Sequence, residues 1–483
     1  MAEIPFDSDR KRMSVIQQDG NGRTLYCKGA LESLLTVSDA IQSAGQLRPL
    51  DAASRERLLA AQDDMARAGL RVLAFAYRTL GAAEEPREEH LTLCGLVGLE
   101  DPPRPEVAPA IECCHSARIK VVMVTGDHPV TAVAIAREIG LVRGEQPVVL
   151  RGDDLPRMTT TQLQLALDAP EILFARVTAE QKMLIVQALR RKGEIVAVTG
   201  DGVNDAPALK AADIGIAMGI SGTDVAKEAA DMILLDDNFA SIVYAIEEGR
   251  AVFENLRKFL TYILTSNIPE LLPYLAFVLF KIPLPLTVIQ ILAVDLGTDM
   301  LPALALGAEP PHPGLMRQPP RPSNERLLHW PLLARAYLWL GLMEAAVSLT
   351  VFFQVLSRAG WRYGESLDRH DPLYLQATAA CLAAIVLAQM MNVFLCRDSR
   401  LSSFRFGLLA NPLLLWGLVL ELGLILLIVY TPWGNALFGA APFQGEVWIY
   451  MIPLVIVMGL AEEARKWLTR RFIATGQTAG SPG

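Results

Sequence analysis

Nine consecutive residues, Thr199-Gly200-Asp201-Gly202-Val203-Asn204-Asp205-Ala206-Pro207, set two carboxylates and an amide among two glycines. Asp201 and Asp205 are hard oxygen ligands, suited to Mg²⁺ held together with phosphate oxygens. A second string, Thr125-Gly126-Asp127, offers backbone N–H groups and a hydroxyl just ahead of a helix start, an arrangement that cradles anions. A third set lies in the apolar second half of the chain: Asn267 and Glu270, then Asp295, Thr298 and Asp299, then Gln389 and Asn392, then Glu421. An ionised carboxylate at the centre of a bilayer costs about 2.5–3.5 kcal/mol, so such residues mark a function by default. Together they make an oxygen-rich cage for a hard cation. Hydrogen bonds between helices would account for Gln389 and Asn392; they account poorly for the carboxylates. Glu344 is left as a structural residue.

The elements that must position these groups follow from the pattern around them. The apolar run 195–198 predicts a buried parallel strand ahead of the nine-residue turn, and 208–212 predicts a helix after it. Residues 120–124 predict a strand that ends at Thr125. A helix over 129–139 follows, with Pro129 at its first position and Gly140 at its end. Another strand, 172–176, feeds a helix over 179–191 that carries Lys182, and further strands are expected at 214–218 and 232–235. Alternation of strand and helix predicts a parallel sheet with right-handed crossovers, which binds ligands at the carboxyl ends of its strands.

Upstream, strands at 13–17 and 24–27 flank the hairpin signal Asp19-Gly20-Asn21-Gly22. Helices at 31–38 and 53–68 and strands at 71–78 and 91–99 follow, a small α/β piece. Asp101-Pro102-Pro103-Arg104 reads as a linker. After Lys258 come six apolar stretches, about 259–280, 284–306, 332–356, 373–395, 412–430 and 447–460 with its continuation, each able to cross a ~30 Å hydrocarbon core. Arg317, Arg321 and Arg326, Arg397, Arg400 and Arg405, and Arg465, Lys466, Arg470 and Arg471 fall on one side of these spans. Lys281, Arg358, Arg362 and Arg369 fall on the other, so the excess positive charge is on the side of the charged first half.

The bulk numbers agree. The 483 residues suffice for about three domains. They are 52% hydrophobic, with a mean hydropathy of +0.31. A net charge of −8 argues against a nucleic-acid partner. The six cysteines show no Cys-x-x-Cys spacing and fit a reducing compartment without disulfides.

The nine-residue turn and its flanks resemble the hinge motif of the P-type cation-transporting ATPases. The resemblance covers nearly the whole chain and is strongest over 101–311. It implies an incomplete haloacid-dehalogenase-like α/β head on an all-α membrane domain of six helices. The boundaries it implies are a partial nucleotide-binding domain over 1–100, a phosphorylation domain over 101–250, the membrane domain over 251–473 and a disordered tail over 474–483. In that family Asp201 would hold the catalytic Mg²⁺, and Asn204 and Asp205 would order the phosphorylation site. Thr125, Gly126 and Asp127 would hold the transferring phosphate, and Lys182 would contact the acyl phosphate as a point charge. ATP would sit against Phe6 as an adenine plate, with Lys28, Arg71 and Arg176 around it. Taken singly, Phe6 reads as core, and Lys28 and Arg71 as solvated surface.

The resemblance also implies a multi-pass protein of the cell membrane with its head in the cytosol, moving an inorganic cation through the bilayer. Asp295 and Glu421 fit sodium-pump patterns, Asn392 departs from them, and calcium stays open as cargo. The family's nucleophile is an aspartate in an Asp-Lys-Thr-Gly sequence, and those four residues occur nowhere in this chain. Its strand is central in the family's sheet, so a gap between strands is expected. The chain is therefore expected to be the C-terminal part of a pump, with a separate N-terminal half as a possible partner. The alternative is a non-catalytic remnant or regulatory partner of an intact pump.

Overall fold

A computed structural model describes residues 2–478 apart from 20–21, 44, 82–83, 100–101, 323 and 408–410. Gly20 and Asn21 of the expected hairpin turn, Asp101 of the linker and residues 479–483 of the expected tail lie outside the described residues. The last helix, Gly445–Thr478, carries the chain through 474–478, where a disordered tail was expected. The chain divides into two compact units, Met1–Ala245 with Met316–Ser323, and Ile246–Leu315 with Asn324–Gly483.

The first unit holds three sheets. A seven-stranded sheet uses β1 (Ala2–Asp7), β2 (Arg12–Asp19), β3 (Gly22–Gly29), β4 (Ser38–Ser43), β5 (Gln46–Pro49), β6 (Arg71–Leu80) and β7 (Leu91–Leu99). Their order is β1-β2-β3-β6-β7-β4-β5, antiparallel except where β4 runs parallel to β7. Alternation decides which face is buried: Leu25, Cys27, Ala74, Ala76, Leu91 and Leu93 point into a core closed by Leu31 and Leu34 of the helix Leu31–Val37. β1, β4 and β5 escaped the sequence reading. β4 and β5 lack apolar alternation, and β5 is exposed throughout.

The remaining strands are parallel, each reached through a helix. They form two separate three-stranded sheets. One contains β8 (Met123–Val124), β9 (Val148–Arg151) and β10 (Ile172–Ala175) in the order β8-β10-β9. The other contains β11 (Ala197–Gly200), β12 (Ile214–Met218) and β13 (Met232–Leu234) in chain order. The expected strand 195–198 is shifted two residues onward, which brings Gly200 into the strand and the carboxylates to its very end. β10 is buried throughout, as a central strand should be, whereas β11 alternates exposed and half-buried residues. Among the described residues β8 and β11 each pair on one edge only.

The second unit contains six helices long and apolar enough to cross a membrane: within Phe239–Leu279, then Val288–Gly307, Trp330–Arg358, Pro372–Cys396, Pro412–Tyr430 and Gly445–Arg471. They match the six expected stretches. The fourth is the most enclosed, with Ala379, Ala380, Ala383 and Ala384 fully buried, because small side chains let neighbouring helices approach closely. The ends of the bundle are tied by buried ion pairs. Glu462 accepts from Arg335 (2.8 Å) and the Trp339 indole N–H (2.9 Å), and Lys466, itself fully buried, donates to the Leu395 carbonyl (3.0 Å) and the Ser403 hydroxyl (2.9 Å). Glu309 is held by Lys258 (2.8 Å) and Arg397 (2.5 Å).

Candidate functional site

At the end of β11 the chain turns through a single 3₁₀ turn, Val203–Asp205, into the helix Ala206–Ala211. Asp205 is buried; its carboxylate accepts from the Lys182 ammonium (2.6 Å) and from the Gly202 N–H (3.1 Å). Residue 200 has to be glycine, since a Cβ there would stand 2.4 Å from the Asp205 Cβ. Lys182 reaches Asp205 from the helix Ala179–Arg191, which begins with a capping box at Thr178 and Gln181. Asp201 and Asn204 are exposed, and the Asp201 carboxylate takes no partner among the described residues. A fixed lysine–aspartate pair beside a free carboxylate, at the carboxyl end of a parallel strand, can bind a phosphorylated group through a metal.

Thr125, Gly126 and Asp127 lie at the carboxyl end of β8. The Thr125 hydroxyl donates to Asp127 (2.8 Å) and accepts from the Asp127 N–H (3.1 Å). The helix starts only at Pro129, so these residues precede its N-terminus by one turn. Both clusters stand at carboxyl ends of parallel strands, as expected, but among the described residues no hydrogen bond or ion pair joins one to the other.

Phe6, on β1, is 64% exposed, which excludes it from the core. Lys28 on β3 pairs with Phe75 on β6, and Arg71 stands four residues away on β6, on the same face and about 13 Å along it. Both are exposed. Arg176 is engaged elsewhere: it has φ of +56° and its guanidinium meets Glu32 at 3.1 Å. Burial pushes the Glu32 carboxyl up, but its own amide, Arg176, Gln62 and His128 outweigh that and hold it below the ordinary carboxylate range.

In the membrane unit the expected cage is distributed unevenly. Glu270, Thr298, Asp299, Gln389, Asn392 and Glu421 are buried, whereas Asn267 and Asp295 are exposed. Asn267 is exposed although Glu270, three residues on, is buried; Asp295, though exposed, stands within electrostatic reach of both Glu270 and Asp299. Successive residues of a helix are rotated by about 100°, so residues three or four apart diverge by tens of degrees, enough to split a pair at the rim of a bundle. The first span stays helical through Pro269 and Pro273. The second has a π turn over Val294–Thr298, closed by the Asp299 N–H on the Val294 carbonyl (3.0 Å). The prolines still free the carbonyls of Thr265 and Pro269 four residues earlier.

Tyr262, fully buried, points its hydroxyl toward Asp299 at a long 3.5 Å. One oxygen each of Glu270 and Asp299, both of Glu421, and both polar atoms of Gln389 lack a partner among the described residues, as does the Asn392 amide nitrogen. No three acids, histidines or cysteines there converge into a ready-made metal site. The donor set is mixed: carboxylates, amides, hydroxyls and freed carbonyls, all hard oxygens save the amide nitrogens. The sequence reading missed that Glu344, set aside as structural, is as buried and partnerless as these.

Residues 1–106 match the family description P-type ATPase, cytoplasmic domain N; residues 180–246 match haloacid dehalogenase-like hydrolase; residues 283–468 match Cation transporting ATPase, C-terminus. The chain is 37% identical to the sodium/potassium-transporting ATPase subunit alpha-2 of Sus scrofa, over 98% of its own length and 52% of that protein. It is 38% identical to the alpha-2 subunit of Gallus gallus, over 98% of its length and 53% of that protein. The chain belongs to the P-type cation-transporting ATPases. It corresponds to the C-terminal part of such a pump, a haloacid-dehalogenase-like head with a helical, multi-pass membrane domain. It spans about half the length of the curated relatives it matches. P-type ATPases use ATP with Mg²⁺, and the exposed, uncommitted carboxylate of Asp201 fits that metal.

Proposed function

We propose that this chain is the C-terminal portion of an ATP-driven pump that couples ATP hydrolysis, through an aspartyl phosphate, to movement of a cation across the membrane. Sodium and potassium are the favoured cargo and calcium the alternative. The observation that carries this reading is the set of buried, partnerless polar groups between the spans: Glu270, Asp299, Gln389, Asn392 and Glu421. Buried polar groups are normally hydrogen-bonded, so a cluster of unsatisfied oxygens asks for a ligand that supplies positive charge.

On this reading Asn267, Asp295 and Thr298 complete the cation's path. An exposed Asp295 at bilayer depth would cost about 2.5–3.5 kcal/mol against lipid, so further helices of the pump, from an N-terminal half on the same or another chain, cover that flank. Asp201 holds Mg²⁺, which when bound offsets phosphate charge. Lys182 and Asp205 form the fixed pair that receives the phosphorylated group, Asn204 orders it, and Thr125, Gly126 and Asp127 cradle its oxygens. The one-sided edges of β8 and β11 take a single parallel strand carrying the phosphorylated aspartate. Phe6, Lys28 and Arg71 contact ATP within a nucleotide domain over 1–100, and Arg176 supports that pocket by holding Glu32. The phosphorylation domain covers 101–250 and the membrane domain 251–473. The head lies in the cytosol, at the plasma membrane.

The test is cation-stimulated phosphorylation by ATP of the assembled pump, with and without Asp299→Asn. The variant is expected to raise the half-saturating cation concentration at least tenfold while nucleotide binding is unchanged. An unaltered half-saturating concentration would remove Asp299 from the path.

A further inference from the structure

Glu32 lies in the first turn of the helix Leu31–Val37, four residues after Lys28, and one of its oxygens gathers three side chains from other elements. The Arg176 guanidinium donates to it at 3.1 Å and the Gln62 amide at 3.3 Å, and His128 Nε2 stands 4.0 Å away. Gln62 belongs to the same α/β piece, on the helix Ala52–Arg67. Arg176 and His128 belong to the parallel-stranded core. Arg176 follows β10 directly, and His128 follows Thr125-Gly126-Asp127 and caps the helix Pro129–Glu138.

The backbone carries this contact on to the anion cradle. Arg176 has φ of +56°, a conformation that a residue with a side chain adopts at a cost and keeps only where its surroundings hold it. Here its N–H donates to the Asp127 carbonyl (3.1 Å), the Val177 N–H to the Thr125 carbonyl (3.2 Å), and the Gly152 N–H to the Ala175 carbonyl (2.9 Å). Residue 152 has to be glycine, because a Cβ there would stand 2.1 Å from the Arg176 carbonyl oxygen. The turn at Arg176 is thus pinned to the cradle by its backbone and to Glu32 by its side chain. A second tether repeats the pattern: the Thr131 hydroxyl, on the helix that follows the cradle, donates at 3.4 Å to the carbonyl of Leu70, immediately before Arg71. Both tethers leave the α/β piece close in sequence to a cation proposed for the nucleotide, Lys28 or Arg71, and both arrive in the core close to the cradle.

We propose that Glu32 is a positioning residue of the phosphoryl-transfer step: through Arg176 it holds the sheet that carries Lys28 and Arg71 in register with the cradle of Thr125, Gly126 and Asp127. This rests on the pump reading above for the reaction it serves. Transfer of a phosphoryl group depends on placement of donor and acceptor more than on covalent work by the protein, so a contact that aligns the two parts acts on the rate. A half-exposed ion pair contributes little energy, so Glu32 and Arg176 align the parts without locking them.

The test uses the full chain in lipid nanodiscs and compares the parent, Glu32→Gln and the charge swap Glu32→Arg/Arg176→Glu. Hydrogen–deuterium exchange over 123–128 and 174–177 is expected to quicken about three- to fivefold in Glu32→Gln, the range a half-exposed ion pair reaches, and to return toward the parent rate in the swap. Unchanged exchange in Glu32→Gln overturns the proposal. So does exchange that stays fast in the swap, which would assign the effect to local packing. Amides of β7, over 91–99, report whether each variant is folded. The second readout is phosphorylation by ATP once an N-terminal segment bearing Asp-Lys-Thr-Gly is supplied. Glu32→Gln is expected to slow labelling at saturating ATP by a similar factor, with the half-saturating ATP concentration unchanged. A shifted half-saturation with the rate preserved would make Glu32 an affinity residue and overturn the positioning role. A parent assembly that takes no label overturns the pump reading, and the exchange result still decides the pairing.

Discussion

Asp205 accepts from Lys182 on one oxygen and from the Gly202 N–H on the other, and room for it exists because residue 200 has no side chain. Gly200→Ala is therefore expected to push Asp205 off Lys182 and destabilise the head by about 1–3 kcal/mol, as overpacking does. Thermal melting of the chain checks this, and a melting temperature within one degree of the parent would show that the turn gives way freely. Asp237 is a second single-residue anchor. Its carboxylate accepts from the Ile220 N–H (2.9 Å) and the Ser221 N–H (2.7 Å). The Ile220 N–H, acting with Ser221 against the opposing effect of burial, lowers its pKa from 3.8 to about 2. A carboxyl lowered on folding stabilises above its unfolded pKa, and that contribution is lost as pH falls toward its folded one. Asp237→Asn is expected to melt below the parent at pH 7, with the gap narrowing between pH 4 and pH 2. A gap constant across that range would assign the effect to shape rather than charge.

Helices of the membrane unit obey different constraints from those of the head. With no water to satisfy freed backbone groups, a proline in a span is absorbed by neighbouring helices rather than by unwinding. The first span therefore runs unbroken through Pro269 and Pro273, and the second accommodates Gly297 in a π turn. What locks the third span to the sixth is a buried ion pair, Arg335 with Glu462, joined by Trp339 and Arg465. Removing one partner strands a buried charge, so Glu462→Ala is expected to cost about 3–5 kcal/mol. The measurement is the melting temperature in detergent, with Arg335→Met/Glu462→Met as the companion: if the pair is only structural, the double variant regains most of the loss.

At the scale of the whole molecule, the chain has two units and about half the length of its pump relatives. The parallel strands form two sheets with one-sided edges at β8 and β11, and Asp-Lys-Thr-Gly is absent from the 483 residues. Purified alone, these residues are expected to yield no acid-stable, hydroxylamine-labile phosphoenzyme from ATP. Supplied with an N-terminal segment that bears Asp-Lys-Thr-Gly, the assembly is expected to become labelled on that segment. Radiolabel on this chain in either experiment would require a different nucleophile and overturn the strand-insertion reading.

The sequence by itself determined the kind of molecule. Apolar length fixes the six spans because backbone polar groups in lipid must be satisfied within the helix, and the turn from Thr199 to Pro207 reports its chemistry because side-chain type and spacing are local. It also marked Glu270, Asp295, Asp299, Glu344 and Glu421 within the apolar stretches. Only the tertiary structure decided which of those side chains are enclosed: Asn267 and Asp295 are exposed, whereas Glu270, Asp299, Glu344 and Glu421 are buried. Helix periodicity gives relative angles along one helix, but which angle is inside depends on where its neighbours lie. The seven-stranded sheet shows the same limit. β4 and β5 have no alternating pattern to announce them, and their pairing comes from β7 rather than from their own residues. The split between β8 and β11 was expected only from the resemblance, because strand order is a long-range property that no local pattern encodes.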